Sequence, residues 1–412
     1  MFLKRTLSMV LLALPLAAAA LQVTKPEDVG LSSDRLKRIN ELIDRRIASG
    51  DISGAVTLVA RRGRVAHFEA QGLANIDAKK PMSKDAIFRL ASMSKPVTGV
   101  AIMMLVEEGK VRLTDPVSRY IPELRGLKVA VVQPARGAAA AAQSAPQFYT
   151  VPADREITIR DLLSHVSGLV SGPISTAEAA KVARKADETL ADYIPRLGSV
   201  PLEFQPGSRW SYSPGAGFDT LGRVVEVVSG QNFDQFLRQR IFNPLEMKDI
   251  GFNPTPSMES RRATIYQKRD GRLQAAVNAN TQPTPYFSGA GGLMSSTEDY
   301  LPLGQMLVNG GQLNGKRVLS PRTVEMMGSP HAPDSLPGRN PGQSFGLSVR
   351  LVSDHVKAVS PLSDGSFGWS GAQGTHFWVD PKEKIVAILM VQTSIPELQR
   401  DFEEAVMQAI IE

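Results

Sequence analysis

Phe88-Arg89-Leu90-Ala91-Ser92-Met93-Ser94-Lys95 is the stretch that decides how this chain is read. Ser92 and Lys95 form the only Ser-x-x-Lys in the sequence, and Val97, Val100, Ala101, Met104 and Leu105 follow at helical spacing. Side chains three apart share one helix face, so a hydroxyl stands beside an amine. A serine hydroxyl is a weak nucleophile until a neighbour takes its proton. A lysine can take it when burial or nearby cations hold the amine neutral. At a helix start, free N–H groups and the positive dipole end favour developing negative charge. Alone the string is weak, because a serine there is usually a cap and a lysine one turn on is usually solvated. Its weight comes from the rest of the chain.

The 412 residues are 42% hydrophobic and 21% charged, the composition of a globular protein with room for one or two lobes. The net charge of +6 is spread over short clusters such as Arg61-Arg62 and Arg261-Arg262. No long basic run is interleaved with aromatics, so a nucleic-acid partner is not expected. Residues 1–20 read as a secretory signal, with Lys4 and Arg5 at the charged start, an apolar run from Met9 to Leu16, and Ala18-Ala19-Ala20 before the cut. The run falls short of the roughly 20 residues of a spanning helix. Cleavage, no stable membrane span and a periplasmic or secreted location are therefore expected. The absence of cysteine excludes disulfides, a cysteine nucleophile and a lipid-modified cysteine. His67, His165, His331, His355 and His376 lack metal-ligand spacing, and no nucleotide-binding glycine loop is present, so neither metal nor cofactor is expected.

Outward from Ser92, residues 33–49 form an amphipathic helical pattern with Leu36, Ile39, Ile43 and Ile47 on one stripe. Residues 55–60 and 64–70 read as strands about a turn at Arg62-Gly63. The far end mirrors them, with strands at 344–352, 375–379 and 384–392 and a helix over about 396–411. The middle, about 115–280, reads as mostly helix or loop, with helices at 157–163, 217–228 and 233–242 and a Pro/Ala/Gly-rich surface insertion at 133–147. Ser295-x-x-Glu298 reads as a capping box after the glycine run 289–292. The simplest architecture pairs the two ends into one antiparallel sheet flanked by helices. The sheet lobe takes about 21–115 and 280–412, and an inserted, mostly helical lobe takes about 116–279. Clefts between such lobes favour pockets.

Two further segments bear on that cleft. Trp210-Ser211-Tyr212-Ser213-Pro214-Gly215 follows Pro206-Gly207 and precedes a helix, a turn from which Tyr212 can project its hydroxyl. Lowered in pKa by Lys95, that phenol would serve as general base or proton relay; a lone tyrosine is more often packed with its hydroxyl on backbone. Phe367-Gly368-Trp369-Ser370-Gly371-Ala372-Gln373-Gly374 precedes a strand, and its glycines let backbone N–H groups approach a ligand. Read alone, it is a tight hairpin. A Gly-x-Ser-x-Gly elbow is missed by one residue at Gly368–Ala372.

Together these segments resemble the serine β-lactamase and penicillin-binding-protein superfamily, specifically its class C branch and the related carboxylesterases. The matching stretches span about 25–410. They include 88–95, Ile159-Arg160-Asp161-Leu162-Leu163-Ser164-His165-Val166-Ser167-Gly168-Leu169, Pro206-Gly207 to Tyr212-Ser213, 241–247, and Gly291-Gly292-Leu293-Met294-Ser295-Ser296. The resemblance implies an α/β fold of β-lactamase/transpeptidase type with an inserted helical domain. It implies Ser92 as the acylated nucleophile, Lys95 as its base and Tyr212 as the second-motif tyrosine. Trp369-Ser370-Gly371 takes the place of the third motif, Lys-Thr-Gly in β-lactamases, and the oxyanion donors would be the N–H groups of Ser92 and Ala372. Two departures matter. Pro214 stands where an asparagine usually orients a substrate amide, and Trp369 stands where a cation usually meets a substrate carboxylate. Related carboxylesterases show a similar Trp-x-Gly change. The expectation is therefore a serine hydrolase with an acyl-enzyme intermediate, acting on small neutral acyl esters. The alternatives are a β-lactamase or D-amino-acid peptidase, or a penicillin-recognising protein that acylates without turnover.

Overall fold

The two ends of the chain meet in one sheet. The computed structural model describes residues 23–133, 147–276 and 283–412; the signal-like segment 1–20 and nearly all of the 133–147 insertion lie outside them. β1 (Gly54–Arg61), β2 (Arg64–Asn75) and β3 (Lys80–Pro81) come from the start of the chain. β4 (Gln343–Phe345), β5 (Arg350–Val352), β6 (Phe367–Ser370), β7 (His376–Asp380) and β8 (Ile385–Met390) come from its end. Their order is β4-β5-β6-β7-β8-β1-β2-β3, and every neighbouring pair is antiparallel. The seam between the two ends is β8 on β1, with Val56 opposite Met390 and Leu58 opposite Ile388.

Both faces of this sheet are covered, so its central strands are apolar throughout. Side chains alternate by face. Val56, Leu58, Val386, Ile388 and Met390 belong to the larger apolar cluster on the front, while Ala55, Val59, Ile385, Ala387 and Leu389 belong to a second cluster on the back. The back is covered by α1 (Ser33–Ala48) and by the C-terminal helix Pro396–Met407. α1 starts where Ser32 Oγ accepts the Arg35 N–H, and it buries Leu36, Ile39, Leu42 and Ile43. The front is covered by α2 (Ser94–Glu107) and by α4 (Thr297–Val308), with α3 (Ala216–Ser229) packed on α2; Pro396–Met407 is α5. α2 is buried on all sides from Ser94 to Leu105, as expected of a helix without a polar face. It sits so close to the turn before β5 that a Cβ on Gly99 would fall 1.9 Å from Ser348 Oγ.

Four expectations need correction. Residues 344–352 are two strands, β4 and β5, because Ser348 turns back with φ 73° and Gly346 crosses the Met327 carbonyl where a Cβ would lie 2.1 Å from it. The middle of the chain is not only helix and loop: Lys128–Val132 pairs with Phe148–Pro152, and Tyr266–Arg269 with Arg272–Ala275. The N-cap before α4 is Ser296, whose Oγ accepts the Asp299 N–H, while Ser295 lies in a short strand one residue earlier. Ser296 is a single N-cap and not a box, since its N–H goes to the Asp249 carbonyl at 3.3 Å. The helical reading of 233–242 divides into Phe233–Leu237 and a π-helical turn at Arg238–Phe242. Among the described residues, no helix is long and apolar enough to cross a membrane.

Candidate active site

Ser92 lies on a single 3-10 turn, Ala91–Met93, that leads directly into α2. The turn is strained, since Ala91 holds φ at 46° in the left-handed region. Its surroundings over-determine it. Leu90 N–H donates to the Leu293 carbonyl at 2.9 Å, Tyr300 Oη to the Met93 carbonyl at 2.8 Å, and Leu293 N–H to Ser94 Oγ at 3.1 Å. Ser92 itself is half-buried, whereas Lys95, one turn later, is fully buried.

The ammonium head of Lys95 is surrounded by three acceptors. Nζ lies 2.8 Å from the Pro214 carbonyl, 2.9 Å from the Ala290 carbonyl and 3.3 Å from Ser92 Oγ. It also stands over the Tyr212 and Phe218 rings, 4.9 and 5.5 Å from their centroids. Burial drives its pKa down to about 7, with the charge of Asp219 pulling the other way. A neutral amine has two hydrogens and one lone pair. The two carbonyls take the hydrogens, and the lone pair is left facing the serine.

Tyr212 completes the cluster from the loop before α3, with Oη 2.6 Å from Ser92 Oγ. His165 clamps that loop on both sides. Its carbonyl accepts the Ser211 N–H at 3.0 Å and its Nδ1 accepts the Ser213 N–H at 3.2 Å. The imidazole is buried, held neutral chiefly by that burial and then by Lys95, and packs on Tyr212 with ring centroids 4.7 Å apart. The expectation that Lys95 lowers the Tyr212 pKa is overturned. Burial raises it, with the Ser92 hydrogen bond as the opposing influence. An amine driven towards neutrality offers little cationic pull, while the buried phenolate pays the full desolvation cost.

The third segment approaches as strand β6, which β5 pairs only at Phe367 and Gly368, and the turn after it. Gly371 is needed here for contact: a Cβ would lie 2.3 Å from the Leu90 carbonyl and 2.1 Å from Thr375 Oγ1. Its N–H is already given to the Thr375 carbonyl at 2.7 Å, so it offers the site a close approach and no free donor. Ala372 is exposed, and its N–H has no partner among the described residues. Trp369 faces the cleft, 5.5 Å from the Tyr212 ring and 5.1 Å from Phe345. Trp210 stacks 6.5 Å from Tyr212, so one wall is aromatic.

Sequence reasoning named Ser92, Lys95, Tyr212, Trp369, Gly371 and Ala372, and the fold brings their segments together. It missed the Pro214 and Ala290 carbonyls, because a backbone acceptor leaves no mark on residue type. It also missed the clamp at His165, and Asp219 on α3, which accepts from Tyr286 Oη, Ser288 Oγ and the Ala290 N–H. Asp219 follows Tyr212 by seven residues, and its charge in an otherwise apolar helix start was the available signal. Among the described residues, no group of three or more His, Cys, Asp or Glu side chains is placed to hold a metal ion.

Comparison with known proteins identifies the family and the fold. A family model described as Beta-lactamase matches residues 39–409. Protein Rv1367c of Mycobacterium tuberculosis (strain ATCC 25618 / H37Rv) is 37% identical over 377 residues, covering 87% of this chain and 90% of that protein. Esterase EstB of Burkholderia gladioli is 29% identical over 386 residues, covering 87% and 90%. Among solved structures, EstCE1, described as a hydrolase with promiscuous acyltransferase activity, superposes with a TM-score of 0.76 at 27% identity, covering 91% of this chain and 99% of that one.

Proposed function

The chain belongs to the Beta-lactamase family, a serine hydrolase superfamily with esterase relatives, and from that premise we propose that it is a carboxylesterase acting on small neutral acyl esters. Ser92 Oγ attacks the ester carbonyl carbon while its proton passes to the Lys95 lone pair, with Tyr212 Oη sharing the hydrogen bond. The carbonyl π pair moves onto oxygen, where the N–H groups of Ser92 and Ala372 receive it, a contribution typically of about 3 kcal/mol per donor. Collapse expels the alkoxide, which takes the proton from Lys95 through Tyr212, and leaves the acyl group on Ser92. Water then attacks the acyl-enzyme, gives its proton to the same pair, and the serine oxygen leaves with it.

The observation that carries the ester reading is Trp369 against Tyr212. An aromatic ring at that place gives an uncharged acyl or alcohol group an apolar surface and gives a carboxylate no counter-ion. The names of EstB and EstCE1 support the same reading. The test is a panel of short p-nitrophenyl esters, D-amino-acid peptides and nitrocefin on the purified protein. Faster turnover of neutral esters is expected. Faster hydrolysis of cephalosporins than of any neutral ester would install the β-lactamase reading, and a stoichiometric burst without turnover would install the penicillin-recognising one. We also propose export with removal of residues 1–20, on their pattern alone; N-terminal sequencing of the protein recovered outside the cytoplasm checks it, and an intact Met1 would end the idea.

A further inference from the structure

A buried carboxylate to which the proposed reaction assigns no role acts on Lys95 by its charge. Asp219 sits in the first turn of α3, and three donors converge on it: Ser288 Oγ at 2.6 Å, Tyr286 Oη at 2.8 Å and the Ala290 N–H at 3.1 Å. Burial pushes its carboxyl up, and the bonds from Ser288, Tyr286 and the Ala290 N–H, with Lys95, favour the ionised form in which both oxygens accept. The donors all belong to one segment, 286–290, and that segment ends on the carbonyl that accepts from Lys95 Nζ. The other face of the segment is tied down as well, since Thr98 Oγ1, on α2, donates to the Gly289 carbonyl at 2.7 Å. Gly289 leaves no slack, because a Cβ there would lie 2.6 Å from the Phe218 carbonyl.

We propose that Asp219 is the positioning residue of the Lys95 amine: by holding the Ala290 N–H it fixes the residue whose carbonyl accepts from Nζ, and its buried negative charge sets how readily that amine takes the serine proton. With the Ala290 and Pro214 carbonyls both in place, the amine cannot rotate its lone pair away from Ser92. If the Ala290 peptide turned, one N–H would be left without a buried acceptor, and the amine would reorient to satisfy it. The inference rests on Lys95 being the base. It also rests on the charge of Asp219 opposing the desolvation of Lys95, in agreement with the direction in which each group acts on the other. The other ionisable groups around the pair are Tyr212 and His165 at Lys95, and Tyr286 and Tyr193 at Asp219, with Arg184 stacked 4.4 Å over the Tyr286 ring. His165 is held neutral, and burial pushes all three phenols up. Asp219 is therefore the anion that faces the amine.

The experiment is the pH dependence of acylation, read as the pre-steady-state burst with a p-nitrophenyl ester, for the wild type, Asp219→Asn and Lys95→Ala. Asp219→Asn keeps the size of the side chain and removes the charge. It should slow acylation about tenfold and move the acidic limb down by about one pH unit, because an amine without its anion protonates less readily. KM should change little. Should Asp219→Asn fail to fold, the double variant Tyr286→Phe with Ser288→Ala removes two of the three donors, destabilises the carboxylate as an anion, and should move the limb in the same direction. An unmoved limb in a folded variant, with Lys95→Ala inactive, overturns this inference alone. Full acylation by Lys95→Ala overturns the proposed function with it.

Discussion

Ser92 and Ser370 carry hydrogen-bonded chains on opposite faces of the same sheet. On the front, Ser92 meets Lys95 and Tyr212. On the back, Ser370 Oγ lies 2.9 Å from His376 Nδ1, His376 Nε2 lies 3.0 Å from Glu403 Oε1, and Arg350 donates to that same oxygen at 2.6 Å. By connectivity the back chain looks the more like a hydrolytic triad. The electrostatics say otherwise. Glu403 is held down to about 2 by His376 and Arg350 against its own burial, so its charge is paired. Burial keeps His376 neutral, with Nε2–H donated to Glu403 and Nδ1 accepting from Ser370. Each polar group there has its partner, and the chain ties β6 and β7 to α5. On the front, the buried Lys95 has no carboxylate in contact among the described residues, and burial drives its pKa down to about 7. A compensated buried charge holds structure; an uncompensated one at neutral pH is available for proton transfer.

The largest expected difference tests which serine reacts. Ser92→Ala should abolish labelling by a fluorophosphonate probe and all turnover, while Ser370→Ala retains both. Mass-spectrometric placement of the label on Ser370 would reverse the comparison. Next comes the base. Lys95→Ala and Tyr212→Phe should each lower kcat/KM by about 10³, roughly 4 kcal/mol. The double variant should lose far less than the product of the two, because the pair acts as one proton-transfer unit; multiplicative losses would make one of them merely structural. In the wild type, the amine is active when deprotonated, so kcat/KM should rise with pH through a midpoint near about 7. A flat profile between pH 5 and 8 would remove Lys95 from that role.

The back chain should instead be visible in stability. Glu403→Gln should cost about 2–3 kcal/mol, below the roughly 3–5 of a fully buried pair because Arg350 still reaches water. The folded pKa of Glu403 is depressed, so its contribution is present above the unfolded value near 4.5 and is lost as pH falls towards about 2. The wild type should therefore lose stability more steeply than the variant across that window in acid denaturation, and equal slopes would deny the pairing. The smallest effect separates two adjacent residues of β6. Trp369→Lys should shift kcat/KM towards carboxylate-bearing substrates by about tenfold, roughly 1.4 kcal/mol, since a cation then faces the cleft. Ser370→Ala, pointing the other way, should leave that ratio unchanged, and a shared effect would blur the distinction between the faces.

The periodicity of residues 33–49, 55–60, 64–70 and 384–392 and the Ser92–Lys95 spacing determined the sheet built from both chain ends, its covering helices and the nucleophile–base pair. These are local patterns, carried by which residue types recur at 2 and 3.6. The segments holding Tyr212 and Trp369 could be picked out by motif, but their meeting at Ser92 is a matter of tertiary approach. Other features were decided only by the folded chain. Residues 344–352 break into two strands because Gly346 and Ser348 fit against Met327 and Gly99, partners from elsewhere in the sequence. The acceptors that leave Lys95 its lone pair are the carbonyls of Pro214 and Ala290, and every residue type has a carbonyl. Whether a lysine is a solvated charge or a base near pH 7 depends on what replaces water around it. For Lys95 that is the packing of α2, α3 and the 286–293 segment, a property of the fold and of no single stretch of residues.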